Sequence, residues 1–104
     1  MSDLATDFAQ IMREEARLII LKALGEQMNE SLNSSMMEPV LARFAINMPR
    51  PWIHQQLEYL ETMNAVTIMN AGTVKIATLT ELGRRHLDRQ CAIEGVKRPS
   101  RPGA

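Results

Sequence analysis

A chain of 104 residues, 45% of them apolar and 23% charged, has room for one soluble globular domain with a modest core and excludes a second. No apolar run approaches the roughly 20 residues that span a bilayer, and the acidic start MSDLATDF lacks the basic region of a secretory leader, so neither is expected. Formal net charge is zero but uneven: up to Met48 four basic residues face seven acids, and from Pro49 onward eight basic residues face five. That asymmetry assigns any anion-binding face to the C-terminal half.

In chain order, Asp3 is placed to cap a first helix in which Leu4, Phe8, Ile11 and Met12 form an apolar stripe. Through Leu18-Ile19-Ile20-Leu21 the apolar residues cover more than one face, predicting a helix that is central to the domain and also meets a second subunit. Gly25 weakens it, and it is expected to stop by about Met28. The polar break Asn29–Ser35 holds only Leu32 as an apolar residue and is expected to carry a one- or two-residue strand. Ser35-Met36-Met37-Glu38 fits a capping box. It predicts a second helix with Pro39 in its first turn, an apolar face of Val40, Leu41 and Phe44, and an end at Ala45-Ile46.

Pro49 and Pro51 stiffen the next turn, and a third helix starts near Pro51. Ile53, Leu57 and Leu60 recur at i, i+4 and i+7 and mark its inward face. The period then changes to that of half-buried strands: Val66 and Ile68, then Val74 and Ile76, alternate with Thr67, Met69, Lys75 and Ala77. Asn70-Ala71-Gly72-Thr73 joins them as a turn. Thr80 caps a last helix running from Glu81 to about Ala92. Residues 94–104, EGVKRPSRPGA, are expected to be a basic, extended or flexible tail on a single domain of residues 1–93. The fold expected is mainly α with a small β-hairpin, a winged helix-turn-helix.

TLTELGRRHLDRQ resembles the hairpin end and following helix of ArsR- and MarR-type regulators, where an L-T-x-x-G segment recurs. QQLEYLETMNAV is similar to the end of their recognition helix. A closer resemblance covers nearly the whole chain: REEARLIILKAL, the L-x-x-L helix, ATLTELG and the terminal GVKRP resemble small, ArsR-like winged-helix proteins of Mu-like phages and prophages. The resemblance implies a protein of the bacterial host cytoplasm and carries no settled biochemical activity. GVKRP is its most specific feature.

Catalysis is not expected. Two histidines, His54 and His86, and one cysteine, Cys91, supply no nucleophile-base set, and no glycine-rich phosphate loop is readable. Cys91 alone excludes an internal disulfide and fits a reducing cytoplasm. No metal site or cofactor is expected, since ArsR-type sensing needs clustered ligands. Turning Ile53, Leu57 and Leu60 inward leaves Gln55, Glu58, Tyr59 and Thr62 facing away, with Trp52 and His54 on the flanks and Arg50 at the entrance. The expected DNA-binding set is Arg50, His54, Gln55 and Tyr59 on the helix, Lys75 on the hairpin, and Arg84 and Arg85 beyond it. The expected function is a dimeric, DNA-binding transcriptional regulator of a Mu-like phage or prophage. Its dimer interface would use the Leu4–Met12 stretch and the last helix. The alternative is a winged-helix module that binds a phage protein in assembly, without DNA.

Overall fold

The computed structural model describes residues 4–101, so the proposed Asp3 cap lies outside the described residues. Four helices and three strands follow in the order α1 (Leu4–Gly25), β1 (Ser31–Asn33), α2 (Ser34–Ala42), α3 (Arg50–Thr62), β2 (Val66–Ala71), β3 (Val74–Leu79) and α4 (Glu81–Leu87). The strands make one antiparallel sheet in the order β1-β3-β2, so the architecture is a small mix of helices and sheet.

Helix α1 is two helices in one. Its second half is buried through Ala16, the run Leu18–Leu21, Ala23 and Leu24, and forms the middle of the core. In its first half Leu4, Phe8 and Ile11 are exposed. Helix α3 lays Ile53, Leu57 and Leu60 into that core, as its period predicts, and Val66 continues the contact from β2.

Strand β3 is in the opposite phase to the expected one. Ala77 and Leu79 are its buried residues, while Ile76 is only half-buried. The register explains this: Val66 pairs with Leu79 and Ile68 with Ala77, and opposite residues of an antiparallel pair share a face. VKIATL is apolar at both parities, so only the partner strand could choose between them. The hairpin loop is also tighter than expected. Ala71 pairs with Val74, leaving two loop residues, Gly72 and Thr73, with Gly72 at φ 61, as a type II′ turn requires.

The cap of α2 is Asn33, whose side chain accepts from Met36 N–H, and not Ser35. Strand β1 leaves Asn33 at the last extended position, so its carboxamide reaches the free amides first. Pro39 therefore sits inside the helix, beyond its first turn. Three helices also end on residues other than glycine with left-handed backbone: Ala45 at φ 61, Asn64 at φ 64 and Arg89 at φ 61. In each the next amide returns five residues, from Ile46 to Leu41 (3.1 Å), Ala65 to Leu60 (2.8 Å) and Gln90 to Arg85 (2.8 Å). These closures end α2 at Ala42 and α4 at Leu87, earlier than the apolar pattern suggested.

Residues 93–99 turn at Glu94-Gly95, where Val96 N–H returns to Ile93 O at 3.2 Å, and pack on the domain with Ile93, Val96 and Pro99 buried. The fold thus includes the GVKRP segment as a strap across α1, α3 and α4.

Candidate nucleic-acid interface

At 100° per residue, the outer row of α3 is Pro51, Gln55, Glu58 and Thr62, and all four are exposed. On one flank, facing α2 and β3, stand Arg50 and His54. Arg50 Nε donates to Glu38 Oε2 at 2.8 Å. His54 Nε2 lies 2.8 Å from Ser34 Oγ, which also accepts from the Lys75 backbone amide at 3.1 Å. Ser34 is fully buried, so its hydroxyl holds the His54 ring at the edge of the core. Burial holds His54 below the usual imidazole range, and the nearby charges of Lys75 and Arg50 push the same way against the weaker opposing pull of Glu58 and Glu38. The Lys75 ammonium bonds Asn70 Oδ1 at 3.0 Å and stands 3.8 Å from a Glu58 oxygen.

The structure thus gathers Arg50, His54 and Lys75 beside exposed Gln55, with Glu38 and Glu58 interleaved. The other three residues of the expected set lie elsewhere. Arg84 bonds Gly25 O (3.3 Å) and Glu30 (2.5 Å), where it neutralises the carbonyl end of α1. Arg85 is exposed on α4. Tyr59 is turned to the opposite flank of α3 and is half-buried. Its hydroxyl donates to Glu94 O at 2.7 Å, and the Arg17 guanidinium lies 3.7 Å from its ring centroid.

That opposite flank holds residues the sequence reading passed over. Arg17 is buried, and among the described residues no carboxylate forms an ion pair with it. Its Nε donates to Gln56 Oε1 (3.0 Å) and a terminal nitrogen donates to Gly95 O (2.8 Å). Burial lowers its pKa, the main effect, and the Tyr59 hydroxyl partly opposes it. Gln56 falls on the Ile53–Leu60 side of the helical wheel, so periodicity alone marked it as a buried polar residue needing partners. His86, also fully buried, accepts from Ile93 N–H at Nδ1 (3.1 Å). Its Nε2 therefore carries the proton and donates to Lys97 O (3.0 Å). Arg89 bonds Pro99 O.

Among the described residues, no three His, Cys, Asp or Glu side chains are grouped to hold a metal ion, and no helix is long and apolar enough to cross a membrane.

Fold and site together define a small helix-and-sheet protein with one polar helix exposed beside a hairpin. No protein-family model and no solved structure matches it. The chain belongs to the family of the uncharacterized protein gp26 of Escherichia phage Mu, to which it is 33% identical over 94 residues, covering 90% of this chain and 96% of gp26.

Proposed function

We propose that the chain is a winged-helix DNA-binding protein of a Mu-like phage or prophage, acting in transcriptional regulation, with α3 as its recognition helix and β2–β3 as its wing. The observation that carries this reading is the convergence of Arg50, His54 and Lys75 on the flank of an exposed row containing Gln55, at the entry half of α3. A helix presented this way fits the major groove, where glutamine pairs with adenine edges, and the flanking cations meet phosphates. The ion pairs at Arg50 and Lys75 are surface pairs worth about 0–1 kcal/mol, so phosphate oxygens can replace their carboxylates at little cost. Catalysis, a cofactor and a metal have no part in this reading.

The test is fluorescence anisotropy on phage and random duplexes at low and moderate salt. Gln55→Ala is expected to cost about 1–3 kcal/mol and to blur sequence preference. Lys75→Ala and Arg50→Ala are expected to weaken binding on all sequences and to lower the salt slope by roughly one per contact. Glu38→Gln frees Arg50 and is expected to tighten binding. A second reading, a module that binds a phage protein without DNA, is favoured by the pairing of Arg50 and Lys75 each with a carboxylate. Affinity no tighter than about 10⁻⁴–10⁻⁶ M for every duplex decides for that reading.

A further inference from the structure

The outer row of α3 has a carboxylate at its centre. Glu58 stands three residues on from Gln55, and the row is completed by Pro51 and Thr62, both uncharged. The Glu58 side chain is 59% exposed. Its one ion pair among the described residues is with the Lys75 ammonium at 3.8 Å, and that ammonium is held closer to Asn70 Oδ1, at 3.0 Å. Thr62 Oγ1 donates to the Glu58 backbone carbonyl at 2.9 Å and so leaves the carboxylate alone. A negative charge thus stands in water between two neutral side chains, on the face that would meet base edges.

Resting on the reading of α3 as a recognition helix, we propose that Glu58 is a specificity-determining residue that accepts from the exocyclic amine of a cytosine. The duplex this chain takes then carries a C·G pair next to the A·T pair read by Gln55. A carboxylate offers acceptors only. In the major groove guanine shows the acceptors N7 and O6, and thymine shows O4 and a methyl group; donors come only from cytosine N4 and adenine N6. Set against guanine or thymine, Glu58 exchanges water for another acceptor, which costs affinity and rejects both bases. Of the two amines, that of adenine lies beside the acceptor N7, an edge that an amide such as Gln55 matches and a carboxylate does not. Cytosine N4 has no acceptor beside it on its own base. Spacing agrees. Residues three apart rise about 4.5 Å along a helix, near the roughly 3.4 Å step between base pairs, and side chains so spaced meet successive pairs in zinc-finger helices. Lys75 completes the exchange: once its ammonium turns to a phosphate, Glu58 loses its cation and the cytosine amine takes that place. The carboxylate weakens binding to most duplexes and spares one class, so it adds discrimination at a cost in affinity.

The test is selection from a random duplex library, then anisotropy on the enriched sequences, with the full-length wild type, Glu58→Ala and Glu58→Gln. Because the side chain is exposed, both variants are expected to keep the wild-type far-UV circular dichroism spectrum. The wild type is expected to enrich an A·T pair next to a C·G pair. Glu58→Ala is expected to become indifferent at the C·G position alone and to lose about tenfold on the enriched duplex, toward the low end of what one misread pair costs. On random duplexes the same variant is expected to bind more tightly than the wild type, since a repelling charge is gone. Glu58→Gln is expected to move the preference at that position from cytosine to adenine. An enriched motif that Glu58→Ala leaves unchanged overturns the inference and leaves α3 as a recognition helix. So does a Glu58→Ala chain that tightens on all duplexes equally, the enriched one included. A wild type that enriches no motif and binds every duplex no tighter than about 10⁻⁴–10⁻⁶ M overturns the inference together with the DNA reading.

Discussion

His54 shows how one residue reports on the whole candidate face. In the free protein its ring is partly buried against Ser34 and close to the charges of Lys75 and Arg50, and both conditions favour the neutral form. A phosphate brought against Arg50 and Lys75 reverses the electrostatic part, so DNA binding should take up a proton at this ring. The sign follows from linkage: because the complex binds more protons than the free protein, affinity rises as pH falls through the window between the depressed free value and the higher bound one. The expected gain is up to about tenfold per pH unit for one proton. Anisotropy titrations from pH 8 to 5.5 should show it in the wild type and not in His54→Gln. In the absence of DNA the same depression acts on folding. The unfolded chain protonates first as pH drops below about 6.5, so the contribution of His54 to stability falls on the acid side.

At the scale of elements, the strap and α3 are fastened by a lock in which each part needs the others. Gly95 has φ +82, and a Cβ added there would lie 2.1 Å from the Tyr59 hydroxyl oxygen. Gly95→Ala is therefore expected to lower stability by about 1–3 kcal/mol in urea unfolding, through left-handed strain and the clash together. Combining it with Tyr59→Ala should relieve the clash, so the double variant loses less than the two single losses added. Equal additivity would mean that the strap does not press on the ring. Little of this was legible in the sequence. The helix period placed Ile53, Leu57 and Leu60 correctly because three spaced apolar residues on a polar helix admit one orientation. Strand β3 admitted two, and its pairing with β2 chose. The helix ends were hidden because Ala45, Asn64 and Arg89 do what a glycine ordinarily advertises. GVKRP stood out as a motif, but its role depends on a buried arginine, Arg17, 78 residues away from Gly95. The cation face was half-legible: spacing put Arg50, His54 and Gln55 near one another, whereas the destinations of Arg84 and Tyr59 depended on α1 and the strap.

Across the whole molecule, the two ends of the chain close one core. Lys97 N–H bonds Glu14 O at 3.2 Å, and its ammonium bonds Glu15 at 2.9 Å, so the strap is tied to the first helix directly. Deleting residues from Val96 onward removes a buried valine and the Lys97 carbonyl that accepts from His86 Nε2–H, and uncovers that side of the core. The expected outcome is a loss of several kcal/mol in thermal or urea unfolding, well beyond the effect of shedding surface charge. A truncated chain that unfolds like the full one would show the strap to be an ornament on a self-sufficient domain.

Arg17 emerges early in synthesis, while the carbonyl that satisfies it belongs to Gly95, among the last described residues to be made. At about 5–20 residues per second, α1 spends seconds with a guanidinium it cannot yet bury, while α2, α3 and β3 are already made to cover its apolar run Leu18 to Leu24. The site of the Arg17 guanidinium thus closes only once the strap has been made, after the elements that cover Leu18 to Leu24.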